Sequence, residues 1–284
     1  MCSVWRRSPV IVVEPLARKE ARLRDLLRGL GSCIVAFSGG VDSALVLKVA
    51  SQELGERAIG ITGSSASLAP REETAASAFA AQIGAAHETI RTDELSNPNY
   101  RANPSNRCYY CKHELYGKLT AIARERNVAA IVDGFNLDDM GDHRPGRGAA
   151  SEFSIRSPLA EAGFGKDDVR ALAQQLGLAL WDKPALACLS SRFPYGTEIS
   201  LELLVQVDRA EEAVRATGVR ECRVRHHGDV ARIEVPVGEL DRLLAPGVRE
   251  SLIAGVRAAG YRYVTLDLAG FVSGGLNAAL VQHA

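Results

Sequence analysis

Net charge is the first thing this chain lacks. Its 34 Lys and Arg residues are matched by 34 Asp and Glu, so no global field draws it to nucleic acid or to an anionic membrane. Neutrality leaves room only for a local basic site. Long apolar runs are missing too. Nothing approaches the ~20 residues that span a bilayer, and residues 10–13, behind Arg6 and Arg7, are too short a run for a signal-peptide core. A cytoplasmic location is the expectation, with no membrane and no nucleic-acid partner. No internal repeat or low-complexity segment is visible beyond mild alanine enrichment.

Hydrophobic residues make up 46% of the 284 and charged residues 24%, the profile of an ordinary globular chain with a real core. That length suits one large domain or a medium one with a small one. In a reducing compartment the six cysteines are not expected to form structural disulfides, which leaves catalysis, metal binding or plain burial.

Charge and leucine alternate at helical spacing over residues 14–30. Strand-like apolar runs follow at residues 33–37, 58–62, 87–91 and 129–133, with helical stretches at 41–54, 70–83 and 110–126 between them. A polar loop rich in Asn and Pro occupies residues 96–107. Continuous apolar strands alternating with helices indicate an α/β fold, a parallel sheet with helices on both faces. Ligands bind such sheets beyond the carboxyl ends of their strands. After about Tyr195 the pattern changes to a smaller α+β region: helix 201–217, a hairpin of strands 222–225 and 230–235, helix 248–259 and strand 261–267. A boundary is expected near residue 196, dividing the chain into 1–195 and 196–284.

Ser38-Gly39-Gly40-Val41-Asp42-Ser43 joins an apolar strand to a helix. Its glycines let the backbone approach an anion, and the N–H groups at the helix start point outward to bind it. Ser38 and Ser43 add hydroxyl donors, and Asp42 implies Mg²⁺ between itself and phosphate. The lysine of the G-x-x-x-x-G-K-[ST] loop is absent. A glycine-rich turn with an ordinary helix cap is the plain alternative. A second segment, Asp133-Gly134-Phe135-Asn136-Leu137-Asp138-Asp139, closes another strand with three carboxylates and an amide. That set suits Mg²⁺ and ribose contacts, or else merely caps a helix.

Cys108 and Cys111 form C-Y-Y-C at a helix start, and Cys188 precedes Leu189-Ser190-Ser191-Arg192. The helix N-terminus and nearby Arg107, Lys112 and Arg192 would stabilise thiolates, the form that attacks carbon and ligates metal. Three thiolates could hold three irons of a [4Fe–4S] cluster and leave the fourth iron open. With His113 they could instead bind zinc, or the pair could be buried and idle. Cys2, Cys33 and Cys222 lack such surroundings, and Cys33 reads as core. Arg223 and Arg225 alternate along a strand and so share a face, where paired guanidiniums suit a phosphate. A solvated strand face explains them equally, and a turn explains His226 and His227.

The hexapeptide at Ser38 resembles the SGGxDS pyrophosphate loop of N-type ATP pyrophosphatases, the PP-loop superfamily of GMP synthetase, NAD synthetase, asparagine synthetase and the tRNA thiolases. That resemblance implies an adenine nucleotide alpha-hydrolase-like fold for residues 1–195, and transfer of AMP from ATP to a substrate oxygen with release of pyrophosphate. Further segments narrow the likeness: Arg107-Cys108-Tyr109-Tyr110-Cys111-Lys112, Asp142-His143-Arg144-Pro145-Gly146, Arg156-Ser157-Pro158-Leu159, Trp181-Asp182-Lys183-Pro184, Cys188 through Gly196, Arg223 through Asp229, Ala231 through Val235, and Tyr263 through Asp267. In that order, from about residue 15 to 277, the chain resembles the ATP-dependent sacrificial sulfur transferases of the LarE type.

This resemblance implies that the substrate is pyridinium-3,5-biscarboxylic acid mononucleotide, whose carboxylates become thiocarboxylates in making the nickel-pincer nucleotide cofactor. ATP, Mg²⁺ and a [4Fe–4S] cluster on Cys108, Cys111 and Cys188 would be the cofactors, with Asp42 on the Mg²⁺. Some members sacrifice a cysteine sulfur and others carry the sulfide on a cluster; three cysteines favour the cluster. Ser191 and Arg192 would orient the adenylated intermediate, Lys112 would neutralise ATP phosphate, and Arg223 with Arg225 would hold the substrate phosphate. Relatives form homo-oligomers, and residues 196–284 would bind substrate or lie at a subunit contact. A tRNA thiolase is the competing enzyme, but it would carry a basic RNA-binding surface or zinc modules, and this neutral chain has no second C-x-x-C. A nucleotide-binding regulator without catalysis is the third reading, opposed by intact Asp42, Ser43 and the three cysteines.

Overall fold

Strand β1 (Cys33–Ala36) is buried along its whole length, and its side chains divide by parity. Cys33 and Val35 enter one hydrophobic cluster, Ile34 and Ala36 another, as period two requires of a strand covered on both faces. Around it β2 (Ala58–Ser64), β3 (Ala86–Arg91) and β4 (Ala130–Val132) complete a four-stranded sheet in the order β3-β2-β1-β4. Every pairing in that sheet is parallel. The computed structural model describes residues 14–141, 145–182 and 187–272. Cys2, Asp142 to Arg144, Lys183 and Pro184, which the sequence reading also used, lie outside those residues.

One face of the sheet is covered by α1 (Leu16–Leu30), α2 (Val41–Leu54) and α3 (Pro70–Gln82), through Leu23, Leu27, Leu45, Val49 and Phe79. A short α4 (Pro98–Arg101) leads into α5 (Arg107–Glu125), which with α6 (Gly146–Glu152) covers the other face through Tyr116, Leu119 and Ala149. Helices α7 (Pro158–Glu161) and α8 (Lys166–Gln175) return to the first face with Leu159 and Leu172. The expected α/β architecture is therefore what the structure shows. Strand order reverses between β1 and β4, so a crevice opens at their carboxyl ends.

Helix α9 (Leu201–Arg215) starts at Ser200, whose hydroxyl accepts from the Leu203 N–H. It packs with β5 (Arg223–His227), β6 (Val230–Glu234), α10 (Leu240–Leu244), α11 (Val248–Ala258) and β7 (Tyr263–Leu266) around Val214, Val224, Ile233 and Val256. Here the pairing is mixed, antiparallel between β5 and β6 and parallel between β6 and β7. A further cluster, with Tyr100, Leu189, Phe193, Leu204 and Val207, packs the Cys188 segment against both α4 and α9.

Two local expectations are corrected. The hairpin turns on Gly228 and Asp229 alone, with Gly228 at φ 62, and His226 and His227 belong to β5. His226 is buried and its ring Nδ1 pairs with the Tyr261 hydroxyl at 3.0 Å, so it is no exposed turn residue. Helix α5 begins at Arg107, not Tyr110. Tertiary contacts draw it forward: Asn103, fully buried at φ 51, donates to the Pro194 carbonyl, and Arg107 bonds Asn103 Oδ1 and the Ser190 carbonyl. Among the described residues no helix is long and apolar enough to cross a membrane.

Candidate active site

Gly39 turns the chain out of β1 at φ 73, a conformation that suits glycine. Ser38 and Ser43 then face one another with hydroxyls 3.1 Å apart, and Ser43 Oγ also accepts from the Ser38 N–H and donates to the Gly40 carbonyl. Their mutual bonds fix the loop at the N-terminus of α2, a place where such folds bind anions. Asp42 sits beside it and accepts from Asn136 Nδ2 at 2.8 Å. Burial raises the Asp42 pKa; Asn136 opposes that and Asp139 adds to it.

The segment after β4 supports the loop. Asn136 is fully buried; its oxygen accepts from the Asp138 N–H, so one side chain ties this segment to Asp42. Asp138 accepts from the Lys166 N–H at the start of α8, and Asp139 pairs with Lys166 Nζ at 3.4 Å. Asp133 is buried and accepts from Ser157 Oγ, the Phe135 N–H and Tyr116 Oη. These acidic groups are thus occupied with framing contacts. Lys112 lies with its Nζ 5.3 Å from the Tyr116 ring centre, and its pKa is raised by Tyr116 first and Asp133 next.

A cavity of about 380 Å³ brings the two motifs together: Ser38, Lys112, Cys108, Cys111, Cys188 and Arg223 all line it. At Cys108 and Cys111 the surroundings favour the neutral thiol. Burial is the largest effect on Cys108 and Cys111 and pushes both pKa values up. At Cys108 the neighbouring Cys188 adds to burial, and Arg107 and Lys112 act against both without outweighing them. Cys33 is core, as expected, its pKa pushed up to about 12 by burial. Among the described residues no three His, Cys, Asp or Glu side chains are grouped as a metal ion would require, although Cys108, Cys111 and Cys188 line one cavity.

The Cys188 turn is fixed from below. Arg192 is buried and ion-paired to fully buried Glu211 at 2.7 Å, while its other arm donates to the Ala187 and Cys188 carbonyls and to Ser191 Oγ. Glu211 also receives Arg215 and the Val224 N–H. Arg192 and Ser191 are therefore committed to shaping the turn, although Arg192 also reaches the cavity wall. Arg225 differs from the expectation. It shares a strand face with Arg223, but both ends of its guanidinium engage protein, Glu234 at 2.7 Å and the Ser191 carbonyl at 2.9 Å. Arg223 lines the cavity, 5.0 Å from the Phe271 ring centre, and burial followed by Arg192 lowers its pKa.

No family model matches the chain. It is 41% identical over 268 residues to the pyridinium-3,5-bisthiocarboxylic acid mononucleotide synthase of Lactiplantibacillus plantarum, across 94% of this chain and 96% of the relative. The chain belongs to the LarE family. An uncharacterised protein of Synechocystis is 47% identical over 94% of this chain and its own full length, and one of Methanocaldococcus jannaschii is 30% identical over 83% of this chain and 88% of its own.

Several residues of this LarE-family site escaped the sequence reading. Glu94 is buried on the cavity wall, accepting from Ser65 and Ser67 hydroxyls. Cys222 lines the same wall and points its Sγ at the Glu211 carbonyl at 3.8 Å. Neither stands in a motif; only the meeting of β2, the following loop and the α9–β5 connection exposes them. Gly134 did stand in one, and its need for glycine is now explicit. A Cβ there would lie 2.5 Å from the Ser43 backbone nitrogen. Gly134→Ala is expected to destabilise the fold by roughly 1–3 kcal/mol and, if the Ser38–Ser43 loop takes a nucleotide phosphate, to weaken that binding. Denaturant titration and nucleotide affinity measure the two effects; an unchanged ATP affinity would show that the two segments do not depend on each other.

Proposed function

We propose that the protein is an ATP-dependent sulfur transferase acting on pyridinium-3,5-biscarboxylic acid mononucleotide. One observation supports this reading above the others: Ser38 of the phosphate loop and the three thiols line a single cavity. The name of the Lactiplantibacillus plantarum relative supports the substrate class.

In this mechanism the α2 N-terminus and the Ser38 and Ser43 hydroxyls hold the ATP phosphates, with Lys112 as a further cation. Asp42 would hold Mg²⁺, which would supply neutralisation of phosphate charge there. A substrate carboxylate oxygen attacks the α-phosphorus and pyrophosphate leaves. The acyl adenylate so formed is a better electrophile than a carboxylate, because AMP is a good leaving group. The Cys188 sulfur, as thiolate, attacks the carbonyl carbon and AMP departs, leaving a thioester. Loss of the Cys188 α-proton to a base then breaks the Cβ–S bond; the electron pair stays on sulfur, releasing thiocarboxylate and leaving dehydroalanine.

We place the sulfur on Cys188 itself because this route needs only one thiol on the cavity wall, and Cys188 is exposed there. Equal release of AMP and pyrophosphate, dependent on the dicarboxylate mononucleotide, tests the adenylation; ADP and phosphate in their place would refute it. Asp42→Ala is expected to slow pyrophosphate release roughly 100-fold or more, since it removes the group that holds the metal at the reacting phosphates. A rate within twofold of the parent would remove Asp42 from the ATP chemistry.

A further inference from the structure

The cavity wall is rich in arginine, but most of that charge is already answered by protein. Arg71 pairs with Asp208 and Glu212, Arg107 with Asn103 and the Ser190 carbonyl, Arg192 with Glu211, and Arg215 with Glu211 and Glu212. Arg220 is the exception. It lines the cavity and is exposed, and it makes no hydrogen bond or ion pair with any described residue. Its position is set by backbone: Gly218 turns at φ 92 and Val219 next to it is buried, so the connection from α9 to β5 leaves Arg220 on the solvent side of the wall.

Resting on the sulfur-transferase reading above, we infer that Arg220 is the clamp for the 5′-phosphate of the mononucleotide substrate. The reacting carboxylate must reach Cys188. The opposite end of the molecule, a phosphate near two negative charges, then faces the open side of the cavity. A planar guanidinium without a protein partner is suited to bind it bidentately, and costs no broken ion pair when it does. Arg223, in the same wall, supplies a second positive charge further in, while Arg225 is tied to Glu234. Arg220 thus selects a mononucleotide over the corresponding riboside. It comes from a different element than the phosphate loop after β1, and so acts on substrate and not on ATP.

The test compares nicotinic acid mononucleotide with nicotinic acid riboside as probes, titrated calorimetrically into the full chain and its Arg220→Ala and Arg220→Lys variants at two salt concentrations. Expected is a loss of about tenfold in mononucleotide affinity for Arg220→Ala, the equivalent of ~1.4 kcal/mol. Arg220→Lys should recover part of it, the salt dependence should shrink in Arg220→Ala, and riboside and ATP affinities should stay. An equal loss for both probes, a loss for ATP, or no loss at all would overturn the clamp. The parent function is separable. If the chain adenylates the dicarboxylate mononucleotide and Arg220→Ala leaves its KM unchanged, the clamp fails and the function stands. If adenylation is absent but mononucleotide binding depends on Arg220, the function fails and the clamp stands.

Discussion

Cys188→Ala is expected to leave pyrophosphate release within about threefold of the parent and to abolish thiocarboxylate formation. The expectation follows from a division of labour in the cavity. In the proposed mechanism adenylation draws on the loop Ser38 to Ser43 and on Lys112, none of which bonds Cys188 among the described residues. Sulfur transfer draws on a thiol, and alanine has none. Because each transfer would consume Cys188, the parent should yield at most one thiocarboxylate per chain and lose the mass of one H₂S, both readable by intact-protein mass spectrometry. Cys108→Ala and Cys111→Ala should keep measurable single-turnover transfer. A cluster mechanism predicts otherwise: equal loss in all three variants, iron and acid-labile sulfide in anaerobically purified protein, and several turnovers per chain. That pattern would overturn the sacrificial route while leaving adenylation in place.

Glu211→Ala is expected to cost the fold about 3–5 kcal/mol, the usual effect of removing one partner of a buried ion pair. Glu211 is fully buried and is the point where Arg192, Arg215 and the β5 backbone at Val224 meet. Without it, Arg192 becomes a buried cation lacking its counter-charge, and the turn whose Ala187 and Cys188 carbonyls it holds loses its support. Sulfur transfer should therefore fall more than pyrophosphate release. A denaturation midpoint equal to the parent's would refute this account.

Acid provides a second readout. Burial pushes the Glu211 pKa up, but Arg192 and Arg215 outweigh it and the net shift is downward. A carboxylate depressed in the folded state contributes stability above its unfolded value, about 4.3. That contribution is lost as pH falls through the lower folded value. Glu211→Gln should be less stable near neutrality and should show a shallower acid limb than the parent. An unchanged limb would mean that other carboxylates govern acid unfolding.

The parts of this protein that its sequence determined are those governed by neighbours along the chain. Strand, two glycines and helix start are contiguous from Cys33 to Ser43, so period, loop chemistry and helix polarity all point to one anion site. Cys108 and Cys111 lie on one helix, and the alternation of apolar strands with helices indicates the parallel sheet. What the tertiary structure alone decided is which polar groups answer one another across long separations. Arg225 and Arg223 look equivalent on a strand, yet Glu234 on the neighbouring strand claims the first. Arg192 reads as a substrate ligand beside Cys188, until Glu211 meets it from α9. The same helix N-terminus and cations that promise thiolates at Cys108 and Cys111 are outweighed by burial. Charge pairing and desolvation act through space with little regard for sequence separation, so a motif names the chemistry available while only the fold shows which of its groups remain open to a ligand.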